Sequence, residues 1–364
     1  MKKLLYTLPV LLICILACQT RPEAEDLGNG IYYWKTVFRL SEWDKAFLKE
    51  HNVSRLYLRV FDVDMDYTPV PVRREPLYLD STDMVPAGEI IVVTDPEYNP
   101  SYKPVPVATV QFESEVPEGI EVVPVVYITN KCLEDARLCK YDSVFYKRIV
   151  AICHRNGFGN FRELQLDCDW SGSTQDAYFD FCKRIHDMAA EDSIEVSATI
   201  RLHQLRLDAP PVDRGVLMLY NTGSLYSYET ENSILDIKDV APYLKNDIAY
   251  SLPLSFSYPT YNWGIVIDEN KSHFILHKSD YSDSTLYRCV GDHIYEVQKD
   301  HYTGERCLQK GMHIRHETSK IDMIRKVKDL VGSRLGAPSG NIIYHLDSLN
   351  LSGFSSADID SIYF

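Results

Sequence analysis

Eight apolar, β-prone runs recur along this chain, and most are separated by segments with helical spacing. Strands that alternate with helices pair in parallel, because each helix returns the chain to the end where the next strand starts. Eight such units in 364 residues point to an α/β chain folded as a closed (β/α)8 TIM barrel; a doubly wound open sheet is the structural alternative. The runs are 30–38, 54–61, 120–130, 161–169, 194–200, 215–220, 248–256 and 341–346. Helices are expected over 42–50, capped by Ser41, and over 141–156, 174–190, 234–244 and 319–330. Two stretches break the rhythm. One is a Pro-rich excursion after the second strand, about 67–119, extended around Val105 to Phe112. The other is a β-hairpin-rich insertion between strands seven and eight, about 259–316.

The strands end in polar residues. In such barrels the working face lies at the C-terminal strand ends. Asp62 and Asp64 follow the second strand, Asn130 the third, and Asp167 and Asp169 the fourth. Arg201, His203 and Gln204 follow the fifth, Tyr220 and Asn221 the sixth, and His345 and Asp347 the eighth. The fourth run, Phe161-Arg-Glu-Leu-Gln-Leu-Asp-Cys-Asp-Trp170, is the most informative. Residues two apart on a strand share a side, so Gln165, Asp167 and Asp169 form one polar row and Leu164, Leu166 and Cys168 the other. Carboxylates on a strand that otherwise reads as buried are costly unless paired or used. Asp167 and Asp169 are therefore the candidate catalytic acids. Asp62, Asp64, Asn130, Trp170, Arg201, His203, Tyr220, Asn221, His345 and Asp347 are the candidate binding groups. Several have a plainer reading: Arg201 pairing with a strand-four acid, Trp170 and Tyr220 as packing, His345 with Asp347 as a hydrogen-bonded strand end.

The chain starts with Lys2 and Lys3, then an apolar run from Leu4 to Ala17, too short to span a bilayer and shaped like a signal peptide, residues 1–17. It ends Ile-Leu-Ala-Cys18, which resembles a bacterial lipobox, so Cys18 is the expected lipidation site. Residues 18–29 read as a polar tether to the barrel domain, 30–364. The expected location is the bacterial cell envelope, at the outer membrane, with the lipid as anchor. A net charge of −14 argues against nucleic acid as a partner. No Cys or His spacing looks like zinc and no glycine-rich nucleotide fingerprint is present, so no metal or cofactor is expected. Cys132 with Cys139, and Cys289 with Cys307, are candidate disulfides that spacing cannot decide.

Leu166-Asp-Cys-Asp-Trp170 resembles the fourth-strand signature of glycoside hydrolase family 18, the chitinase and endo-N-acetylglucosaminidase group, and Leu217-Met-Leu-Tyr220 is similar to that family's sixth-strand motif. The resemblance covers two short motifs and the architecture. It implies a glycan partner and a catalytic Glu two residues beyond the second acid. This chain has Ser171 there, which cannot protonate a glycosidic oxygen. A frame shifted by two would make Asp169 the acid, and Asp62, Asp64 or Asp347 are other sources. The lipobox, the Asp-x-Asp strand and the ending Tyr344-His-Leu-Asp-Ser-Leu349 are also similar to a group of Bacteroidota-type lipoproteins; that likeness implies compartment and fold but no reaction. Three functions follow: a glycoside hydrolase, a glycan-binding lipoprotein that has lost its acid, and an envelope scaffold that uses the two inserted regions.

Overall fold

The computed structural model describes residues 25–66, 71–73, 90–92, 103–134, 138–227, 230–245, 248–267, 273–277, 280–304 and 306–364. The expected signal peptide, Cys18 and most of the excursion lie outside them. Eight parallel strands form the core: β1 (Asn29–Tyr33), β2 (Val53–Asp66), β3 (Glu121–Ile128), β4 (Glu163–Asp167), β5 (Glu195–Ile200), β6 (Arg214–Met218), β7 (Leu254–Pro259) and β8 (Asn341–Tyr344). Each pairs with the next, and β1 pairs with both β2 and β8, so the sheet closes on itself. The fold is a (β/α)8 barrel.

The helices form because their apolar residues recur at helical spacing and find the barrel wall. Asp142–Arg155 buries Phe145, Tyr146, Ile149, Ile152 and Cys153. Gln175–Glu191 buries Tyr178, Phe181, Cys182, Ile185 and Ala189. Full burial of such a side chain stabilises by about 1.5–3 kcal/mol, so a five-residue face outweighs any weakness in helix propensity. Glu42–Glu50 starts with a reciprocal cap between Ser41 and Asp44. Between β6 and β7 only a short helix (Ile237–Val240) and a 3-10 turn (Ala241–Leu244) form, where one longer helix was expected. Pro242 lies within this stretch and cannot donate the backbone bond that a continuous helix needs. β7 begins at Leu254, later than the expected 248.

Outside the barrel, Lys103–Val107 pairs antiparallel with the distal part of β2, from Asp62 to Asp66. The insertion between β7 and β8 is an antiparallel sheet in which Asn262–Ile267 lies between His273–Leu276 and His313–Thr318. Its core is Val266, Leu276, Tyr287, Val297, Leu308 and Ile314, separate from that of the barrel. Cys139, Cys289 and Cys307 are free thiols, so neither candidate disulfide is formed.

Candidate functional site

Inward-facing side chains of β4 and its neighbours build a polar column up the barrel. At the floor, Arg55 Nη1 donates to Glu163 at 2.9 Å. In the middle, Tyr32 Oη donates to Gln165 Oε1 at 2.6 Å and Gln165 Nε2 donates to Ser197 Oγ at 3.3 Å. At the mouth, Thr199 Oγ1 donates to Asp167 Oδ1 at 2.7 Å. The column repeats every second residue of β4, as the pleat requires.

Asp167 is buried, and its carboxyl is pushed up to about 6, first by burial and then by the Asp169 charge; the Thr199 hydrogen bond and Arg201 oppose the shift. Asp169, at the rim, takes a two-pronged contact from Arg201, with Nε at 2.5 Å and Nη2 at 3.1 Å. Burial works against the guanidinium charge, but the bonds and charge of Asp169 outweigh it and keep Arg201 cationic. Gln204 fixes this corner: its Oε1 accepts from the Arg201 amide and its Nε2 donates to the Trp170 carbonyl.

On the other side of the mouth, Asp62 is bound by Arg59 through both oxygens. These residues are three apart and would face opposite ways on a regular strand. A β-bulge between Arg59 and Phe61 shifts the register and puts both on one side. Asp64 accepts from Thr129 Oγ1 at 2.8 Å, and Asn130 accepts from Thr174 Oγ1 at 2.7 Å. Rings fill the remaining rim. Tyr220 stacks on Tyr344 with centroids 4.7 Å apart and planes 26° apart. Tyr344 also meets Trp34 at 5.8 Å and Tyr261 at 5.8 Å. Tyr261 Oη donates to Asn221. Tyr127, half-buried, has its phenol pushed up to about 12, by burial and then by Asp169 and Asp167.

Of the residues singled out in the sequence, Asp62, Asp167, Asp169, Arg201, Tyr220 and Asn221 come together here, with Asp64 and Asn130 at the edge. Four do not fit as expected. Trp170 is fully buried, stacked on Tyr178 and edge-on to Phe179, so it packs helix against barrel and offers no face to a ligand. The strand ends at Asp167, which frees the chain to turn Trp170 outward into the helix layer. His203 is exposed on the turn after β5. Asp347 is buried, accepts from the Leu349 and Asn350 amides as a helix cap, and lies 3.4 Å from Lys35. His345 is half-buried against the Tyr344 ring. Arg59, Trp34, Tyr127, Thr199, Tyr261 and Tyr344 were missed. Inward parity counted from Asp167 finds Thr199, its neighbour on β5; nothing in the sequence brings Tyr261 to the rim. Among the described residues no group of three metal-ligating side chains gathers.

No family model matches this chain, and neither does any curated protein. Among solved structures, a chitinase from Chromobacterium violaceum is similar over 92% of this chain and 97% of its own, at 9% identity and a TM-score of 0.48. The spore cortex-lytic enzyme SleL of Bacillus cereus aligns over 94% and 75%, at 12% identity and a TM-score of 0.47. Catalytic domain 2 of the Group II chitinase of Ostrinia furnacalis aligns over 93% and 96%, at 10% identity and a TM-score of 0.46.

Proposed function

We propose that this chain is an envelope lipoprotein whose barrel mouth binds a glycan without hydrolysing it. One observation carries the reading: the rim carboxylates are already satisfied. Asp62 is bound by Arg59, Asp64 by Thr129 and Asp169 by Arg201. A general acid has to hold a proton and reach the glycosidic oxygen, and an acid locked to a guanidinium does neither. Ser171 occupies the position where the resembling family carries its acid, and its hydroxyl is spent on Ser173 at 2.9 Å. Trp34, Tyr127, Tyr261 and Tyr344 are half-buried and supply apolar faces for sugar rings, with the ion pairs beside them as hydrogen-bonding edges.

Asp167 favours a second reading. A carboxyl raised to about 6 keeps part of its protons near neutral pH, which is what an acid catalyst needs. Its depth below the rim and its bond to Thr199 argue for a structural role instead.

A glycan array, followed by a reducing-end assay on every glycan retained, separates the readings. The expected result is binding without new reducing ends, with affinity weakened at least tenfold in Arg201→Ala. Turnover that disappears in Asp167→Asn would establish the hydrolase. A blank array under conditions where the chain is folded would favour a scaffold.

A further inference from the structure

The chain enters the fold across the barrel floor. The Glu25 carboxylate lies 3.6 Å from Arg214 Nη2. The Leu27 amide donates to the Ser339 carbonyl at 2.6 Å, and Asp26 Oδ1 accepts from the Gly28 amide at 2.9 Å. Arg214 opens β6 and Ser339 precedes β8, so residues 25–28 run over the N-terminal strand ends, opposite the mouth. The exposed ion pair contributes little by itself. The Leu27 bond and the pairing of β1 that follows hold the crossing in place.

We infer that the barrel floor is the face turned toward a membrane and that the mouth opens away from it. The inference rests on the lipoprotein part of the proposed function and not on its glycan part. Seven peptide links separate Cys18 from Glu25, so at ~3.5 Å each the anchor stays within about 25 Å of the floor. Turning the mouth to the bilayer requires Cys18 beyond the opposite end of the strands. The barrel interior is filled by Tyr32, Tyr57 and Gln165, so the tether would have to go around the outside. That path leaves the floor sideways, rounds the barrel wall, which between β5 and β6 carries just the 3-10 turn Leu202–Arg206, and climbs a six-residue strand of about 20 Å and the loops above it. It exceeds the reach. The mouth is therefore presented to glycans approaching from the aqueous side, borne on a polymer or another envelope layer, and not to sugar head groups in the leaflet that holds the anchor.

Energy transfer from a protein label to an acceptor dye on lipid head groups reads the orientation. The full chain, lipidated and inserted in vesicles, carries a single reactive thiol in a Cys139→Ser, Cys289→Ser, Cys307→Ser background. Ser193→Cys, exposed just before β5, marks the floor. Gly172→Cys, after β4, marks the mouth; an added Cβ there meets nothing within 4 Å. The expected outcome is transfer at least twofold more efficient from position 193 than from 172. Equal or reversed efficiencies overturn the orientation. A chain without lipid on Cys18 by mass, or one that stays out of the vesicle fraction, overturns the lipoprotein reading and the orientation together. Glycan binding by the soluble domain is scored separately and survives that result.

Discussion

The two ends of the barrel bury charge in opposite styles. At the floor, Glu163 is fully buried between Arg55 at 2.9 Å and Arg214 at 3.9 Å. Arg55 also reaches Glu121, and Arg214 reaches Glu195. Cations and acids alternate, and the N-terminal crossing lies over them. At the mouth, among the described residues, no cation makes a short contact to Asp167, because Arg201 spends both of its short bonds on Asp169 and acts on Asp167 only from a distance. Burial raises the carboxyls of both Glu163 and Asp167, but two arginines pull Glu163 back while a neighbouring acid pushes Asp167 further. The floor is a closed ionic plug; the mouth is left with an under-compensated acid beneath a collar of rings. Under-compensated charge is where a structure is poised to meet a ligand or a proton.

The largest test of this contrast is at the floor. Arg55→Ala takes the 2.9 Å partner from the buried Glu163 carboxylate and leaves it with Arg214 at 3.9 Å; losing one partner of a buried pair typically destabilises by about 3–5 kcal/mol. Urea denaturation should show that loss with an unchanged slope. Replacing the pair together, Arg55→Met with Glu163→Leu, should recover most of it. A single variant that unfolds like wild type would remove the distinction between plug and mouth.

The mouth should answer with the opposite sign. The Asp167 carboxyl titrates near 6 in the folded chain, against 3.8 as the ordinary value. The folded state thus holds the proton more tightly between those values, and stability from this group falls as pH rises through the window. At pH 7 the ionised form is held at a disadvantage of about 3 kcal/mol, from ~1.36 kcal/mol per pKa unit. Asp167→Asn keeps an acceptor for Thr199 and removes the charge. It should therefore stabilise the protein at pH 7 by up to about 3 kcal/mol and change little at pH 3.5. Thermal unfolding at the two pH values checks this, and a variant destabilised at both would show that Asp167 is compensated after all.

The barrel was legible because its strand runs are apolar and its helices are amphipathic, and both signals are local. The β4 column was legible too, since Gln165 and Asp167 share parity on one strand. The Asp62 pairing was not: parity counting places Arg59 on the opposite side from Asp62, and only the bulge between Arg59 and Phe61 reverses that. A bulge leaves no mark in composition or period. The ring collar was hidden for another reason. Tyr261 belongs to the turn before the inserted sheet and Trp34 to the loop after β1, so their meeting at Tyr344 depends on closure of the barrel. Trp170 shows the reverse error, where a motif position suggested a sugar platform and the end of the strand turned the ring outward, into the helix layer.

That residue gives the smallest expected effect and the sharpest check on which rings matter. Trp170 is fully buried, its indole nitrogen finds no hydrogen-bond partner among the described residues, and it lies against Tyr178 and Phe179. Trp170→Phe removes an unsatisfied donor, a gain of about 1 kcal/mol, and leaves a small void, a loss of similar size. Stability should change by less than about 1 kcal/mol, and glycan affinity should stay within twofold of wild type. Trp34→Ala, by contrast, removes a half-buried ring from the collar and should weaken binding about tenfold, the range of a lost aromatic contact. Titrating both variants with the same array-selected glycan ranks the two tryptophans. If Trp170→Phe lowers affinity more than Trp34→Ala, the binding face is on the helix layer beyond β4, and the collar around Tyr344 is packing.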